Sequence, residues 1–141
     1  NMTVAEYIFD FLYSKNCNIV YMVSGSSAMW LTDALYRNKD VTAVCCHHEQ
    51  AAAMAADGYG RVNEAPGACL VTIGPGATNA ITGVAQAYLD SSPMFVISGQ
   101  ANSKTWIRQN GTQRFNLEPI VSSITKYFAA VMKPEDIRFH M

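Results

Sequence analysis

The stretch Val41-Thr42-Ala43-Val44-Cys45-Cys46-His47-His48-Glu49-Gln50-Ala51-Ala52-Ala53-Met54-Ala55-Ala56-Asp57-Gly58-Tyr59-Gly60-Arg61-Val62 decides the fold. Its first six residues are a short, apolar, partly β-branched run, the pattern of a strand buried on both faces. From Glu49 onward alanine dominates, and alanine is the strongest intrinsic helix former, so residues 49–62 read as a helix. Residues 68–73, Ala68-Cys69-Leu70-Val71-Thr72-Ile73, are again apolar and strand-like. Strand, helix and strand joined by short links form a βαβ unit, whose crossover makes the two strands parallel.

The alternation extends in both directions. Thr3 and Glu6 form a capping box, and Val4, Ile8, Phe11 and Leu12 recur behind it at helical spacing. Residues 18–23 read as a strand that runs into the turn Ser24-Gly25-Ser26-Ser27, followed by a helix over 28–36. A helix over 78–89 and a strand over 93–98 complete the series. Uniformly apolar strands alternating with helices predict an α/β single domain, a doubly wound parallel sheet with helices on both faces. Ligands of such sheets bind beyond the carboxyl ends of the strands, here loops 24–27, 47–49, 74–79 and 99–102. Residues 101–116 are polar and aperiodic, contain Asn110-Gly111, and read as a long loop over those strand ends. A short helix over 117–124 and a further strand over 127–131 are expected next. Pro134, with Glu135 and Asp136, then opens a helix that reaches only Met141, so the chain is expected to be a piece of a longer polypeptide.

Composition narrows the function classes. The 141 residues are 50% apolar and 15% charged, which suits a globular domain and leaves apolar surface for a neighbouring domain or subunit. A net charge of −1, with Lys and Arg scattered singly, offers no stripe for a phosphate backbone, so nucleic acid is not an expected partner. No apolar run reaches the roughly 18 residues of a membrane span. Cys17, Cys45, Cys46 and Cys69 contain no C-x-x-C pair, so buried thiols of a cytoplasmic protein are expected rather than a zinc site or disulfides, and no metal ligands are assigned.

Taken singly, the motifs are ambiguous. Glu49 lies at a helix N-terminus, where it either complements the helix dipole, worth about 0.3–1 kcal/mol, or acts as an acid/base carboxylate in a dry cleft. Gly74-Pro75-Gly76 joins a strand to a helix and is either a tight turn or a loop whose backbone approaches a ligand. It is not a dinucleotide fingerprint, because Asn79 occupies the third glycine position, and no Gly-Lys-Ser/Thr follows to make a P-loop.

Together they are specific. The run His48-Glu49-Gln50-Ala51-Ala52-Ala53-Met54-Ala55-Ala56-Asp57-Gly58-Tyr59-Gly60-Arg61 resembles the glutamate-bearing helix of thiamine diphosphate enzymes of the acetolactate synthase and pyruvate oxidase group. Thr72-Ile73-Gly74-Pro75-Gly76-Ala77-Thr78-Asn79, Ala87-Tyr88-Leu89-Asp90-Ser91-Ser92-Pro93 and Ile97-Ser98-Gly99-Gln100 look like that group's next motifs, in order. The resemblance spans nearly the whole chain and identifies residues 1–141 as a pyrimidine-binding (PYR) domain.

The resemblance implies a mechanism. The matching glutamate, Glu49, hydrogen-bonds the aminopyrimidine ring nitrogen of thiamine diphosphate and favours an imino form that deprotonates the thiazolium carbon. A carboxylate trades a proton with so weak a base only when desolvation raises its pKa. By the same matching, Gly25, Thr72, Pro75, Gly76 and Asn79 join Glu49 around the cofactor, and Ser24, Ser26, Gln113 and Asn116 face the substrate. Ala51, Ala52, Ala55 and Ala56 are small enough for a second helix to approach, and the group places this helix at a subunit interface, implying a homodimer or homotetramer. For His47 and His48, one ring is expected toward the sheet core and one toward the cleft.

The group binds the diphosphate through Mg2+ on a Gly-Asp-Gly motif, which this chain lacks. The resemblance therefore implies a pyrophosphate-binding domain on the same or another chain, with the chain alone inactive. Ser24-Gly25-Ser26-Ser27 replaces a Pro-Gly-Gly type turn, and Asn116-Leu117 replaces a Gln-Glu pair, which leaves the 2-oxo acid or aldehyde substrate open. A separate alpha-type subunit of a split 2-oxo acid decarboxylase and a catalytically silent dimerisation module remain alternatives.

Overall fold

The computed structural model describes residues 2–100, 113 and 116–141. The loop read over 101–116 lies outside them except for Gln113 and Asn116.

Helix α1 (Val4–Ser14) starts at the expected capping box. Glu6 N donates to Thr3 Oγ1 at 3.2 Å and Thr3 N donates to Glu6 Oε2 at 2.7 Å, which satisfies two otherwise orphaned donors. Strand β1 (Ile19–Met22) leads through a short 3-10 turn (Ser26–Ala28) into α2 (Met29–Arg37). Next come β2 (Thr42–Cys45), α3 (Glu49–Val62) and β3 (Gly67–Val71). The expected helix over 78–89 is two helices, α4 (Pro75–Asn79) and α5 (Ile81–Leu89), which meet at Ala80. Pro75 at the first helical position starts α4 three residues earlier than predicted. Strand β4 (Met94–Ser98), α6 (Glu118–Val121) and α7 (Ile137–His140) follow.

The four strands form one parallel sheet in the order β2-β1-β3-β4. Side chains alternate across it, as the pleat requires. Val20, Met22, Ala68 and Leu70 face α1 and α2, where Ile8, Phe9, Leu12, Ala34 and Leu35 complete one core. Cys69 and Val71 face the other way, against Ala52, Ala53 and Ala56 of α3 and Ala77 of α4. The architecture is therefore α/β with helices on both faces. The close approach of α3 and α5 depends on small residues, because a Cβ on Gly83 would lie 2.6 Å from Ala53 Cβ.

Two expectations need correction. All four residues of β2 are exposed rather than buried, because β2 is an edge strand of the described sheet. Residues 127–131 form no strand, and no described strand pairs with them. An apolar run becomes a strand only when a neighbour completes its backbone hydrogen bonds.

Candidate functional site

Four chain segments meet beyond the carboxyl ends of β1, β2 and β3. The first residue of α3 is Glu49, and its N-cap is His48, whose Nδ1 accepts from Gln50 N at 3.1 Å. Histidine thus takes the capping role, leaving the Glu49 carboxylate for other use. Both His47 and His48 are exposed, so the expectation that one ring enters the core is overturned. Glu49 itself is half-buried.

The Glu49 carboxylate is turned toward α4. Asn79 Nδ2, at the last residue of α4, donates to Glu49 Oε2 at 3.0 Å. Glu49 Oε1 has no hydrogen-bond partner, and no salt bridge reaches Glu49, among the described residues. Gly76 lies against it: a Cβ there would sit 3.3 Å from Glu49 Oε1 and 2.6 Å from Thr72 Cγ2. Gly76 is therefore required by close packing, because any larger residue would meet Thr72 and crowd the carboxylate.

Thr72 is the centre of the cluster. A Cβ on Gly25 would collide with its side chain, and its hydroxyl lies 2.7 Å from Ser27 Oγ. Gly25 has extended backbone, so the glycine is required here for space rather than for its φ. Gly74 differs, with φ +63°, a conformation glycine adopts without cost, and a Cβ there would run into the Gln113 carbonyl. Gln113 is also left-handed, at φ +56°, and its main chain is thereby brought against the glycine turn.

The residues proposed from sequence thus fall into two groups. Glu49, Gly25, Thr72, Gly76 and Asn79 are drawn into one constellation, with exposed Pro75 on its rim. Ser24 and Ser26 are exposed at the mouth of β1, and the Asn116 side-chain oxygen accepts from Glu118 N at 3.1 Å, which starts α6. Ser27 was missed. The signal that could have found it is a hydroxyl in the turn that ends a strand, placed to serve backbone donors nearby.

A second cluster sits at the far end of α3. Asp57 is fully buried and receives Arg61 through bonds of 3.0, 3.1 and 2.8 Å, with Gln86 Nε2 donating to its Oδ2 at 2.7 Å. Arg61 also reaches Asp90 at 2.6 Å, and Ser92 Oγ donates to the Asp57 carbonyl at 3.2 Å. Burial pushes the Asp57 carboxyl up, but the hydrogen bonds, led by Arg61, outweigh it and hold the group below the ordinary carboxylate range. The Asp57 to Arg61 and Asp90 to Pro93 motifs are therefore a clamp between α3, α5 and the approach to β4. Among the described residues no three His, Cys, Asp or Glu side chains converge as metal ligands.

Residues 2–120 match the family described as thiamine pyrophosphate enzyme, N-terminal TPP binding domain. The chain belongs to this family. It is 39% identical over 136 residues to the probable acetolactate synthase large subunit of Methanocaldococcus jannaschii, covering 96% of this chain and 23% of that protein. The acetolactate synthase large subunit of Corynebacterium glutamicum is 38% identical over 96% of this chain and 22% of its own length. The chloroplastic acetolactate synthase of Arabidopsis thaliana is 39% identical over 94% of this chain and 20% of its own. This thiamine pyrophosphate-family chain thus spans about a fifth to a quarter of these relatives. No helix among its described residues is long and apolar enough to cross a membrane.

Proposed function

We propose that the chain binds the aminopyrimidine half of thiamine diphosphate and supplies Glu49 as the activating carboxylate of an acetolactate synthase-like carboligase or decarboxylase acting on 2-oxo acids. The observation that carries this reading is the Glu49 carboxylate, held through one oxygen by Asn79 and bordered by a glycine in front of the other. A residue that only complemented a helix dipole would need neither.

The residues fit the group. Gly25 and Gly76 let the turns close around Thr72, and a larger residue at Gly76 would also crowd Glu49 Oε1, the atom a flat heterocycle would meet. When bound, thiamine diphosphate supplies a carbon nucleophile for attack on a 2-oxo acid carbonyl. Glu49 Oε1, without a hydrogen-bond partner among the described residues, is the oxygen to meet the ring nitrogen and hold a proton there, while Asn79 fixes the carboxylate's rotation. The described residues leave Glu49 half-buried, so the exclusion of water falls to a partner surface.

Magnesium and the diphosphate are assigned to a pyrophosphate-binding domain elsewhere in the same polypeptide or in another subunit, within a homodimer or homotetramer in the cytoplasm. The relatives' greater length supports a larger parent enzyme. The test is hydrogen exchange at the thiazolium carbon, followed by NMR on the full-length protein with cofactor and magnesium. Wild type is expected to exceed free cofactor, and Glu49→Gln to lose about 10²–10⁴-fold. No acceleration by wild type would sink the reading in favour of a silent dimerisation module. An open reading frame that ended at Met141 would instead support an alpha-type subunit of a split decarboxylase.

A further inference from the structure

Beside the glycine turn, one backbone peptide is held from both sides. Ile73 is buried two residues beyond the end of β3, and its N–H donates to Ser27 Oγ at 2.9 Å. The Ile73 carbonyl accepts from Gly76 N at 3.3 Å. Ser27 also lies 2.7 Å from Thr72 Oγ1, so a single hydroxyl ties the β1 turn to two successive residues of the β3 turn. The next residue is Gly74, at φ +63°, and two further on is Gly76, where an added Cβ would meet both Thr72 and Glu49.

We propose that Ser27 is a positioning residue for the cofactor site: its hydroxyl fixes the Ile73 peptide, and through it the seat of Gly76 against Glu49. The argument is one of polar satisfaction. A buried N–H that loses its acceptor must find another or bear the desolvation cost, and the peptide responds by rotating. Rotation at Ile73 shifts the carbonyl that Gly76 N–H depends on, and so disturbs the close packing of Gly76 beside Thr72 and Glu49.

The inference rests on the cofactor reading above, and its test separates the two. Thiamine diphosphate with magnesium is titrated calorimetrically into the full-length wild-type, Ser27→Ala and Ser27→Thr proteins. Alanine is expected to weaken binding about tenfold, as loss of one buried hydrogen bond does, and threonine, which keeps the hydroxyl, to stay within about twofold of wild type. Wild-type affinity in the alanine variant overturns the proposal, and so does equal weakening by alanine and threonine. If wild type itself binds no cofactor, the cofactor reading fails, and amide exchange at Ile73 then decides the lock. Slow exchange in wild type and threonine with fast exchange in alanine supports it; fast exchange at Ile73 in wild type overturns it, even where the alanine variant does not fold.

Discussion

Asn79 Nδ2 and Glu49 Oε2 lie 3.0 Å apart although 30 residues separate them in sequence. The contact joins the last residue of α4 to the first residue of α3, so two helix ends meet through one side-chain bond. It fixes the rotation of the carboxylate and leaves its second oxygen without a hydrogen-bond partner among the described residues.

Removing that bond is expected to slow the reaction more than it loosens the fold. Asn79→Ala loses one hydrogen bond to a charged group at an exposed position, and kcat of the full-length enzyme is expected to fall about tenfold or more. The thermal midpoint should move little. A large loss of stability with unchanged kcat would contradict the assignment.

Gly76→Ala places a methyl carbon 2.6 Å from Thr72 Cγ2 and 3.3 Å from Glu49 Oε1. Overpacking of this kind costs about 1–3 kcal/mol. Thiamine diphosphate affinity is expected to drop, together with the urea midpoint. A variant that binds cofactor as wild type does would show that the packing of Gly76 against Thr72 and Glu49 does not matter to the cofactor.

The buried clamp should dominate stability at the other end of α3. Arg61→Ala leaves the Asp57 carboxylate buried without its main partner. Losing the partner of a buried carboxylate is expected to destabilise the fold clearly, with solvent screening at the exposed Arg61 guanidinium moderating the loss. Asp90→Ala removes only the exposed arm and is expected to cost about 1 kcal/mol or less. Equilibrium urea unfolding of both variants checks the order.

Acid should release the same clamp. The folded-state pKa of Asp57 is depressed, so its contribution is fully present above the unfolded carboxyl value of about 3.9 and is lost as pH falls through the lower folded value. The stability gap between wild type and Asp57→Asn is therefore expected to be largest near neutral pH and to shrink below pH about 4. A gap that widened in acid would reverse the sign argued here.

Thiol reactivity should follow burial. Desolvation pushes Cys69 up to about 12 and raises Cys17, whereas Cys45 lies exposed on β2. Iodoacetamide at pH 8, followed by peptide mapping, is expected to modify Cys45 while Cys17 and Cys69 resist until the protein unfolds.

Much of this was legible in the chain because local chemistry and tertiary context agreed. The bounds of α3 were read correctly at both ends, since the switch from a β-branched run to alanine happens at Glu49 itself. Where a residue's role depended on what stood opposite, reading failed. The run over 127–131 has strand composition but no described partner strand. Cap duty fell to His48, which is not a preferred cap residue and gave no cue. Asp57 looked like one more helix residue, though its spacing of four from Arg61 was the available hint. Glu49, Gly76 and Asn79 were expected at the site by resemblance, and the structure adds that they lie side by side.

Helix α3 carries its Asp57 anchor and the Glu49 carboxylate eight residues apart, about 12 Å along one rod. The Asp57 clamp and the Glu49 contact with Asn79 share no side chain, so the two ends of this single segment are tied to different neighbours.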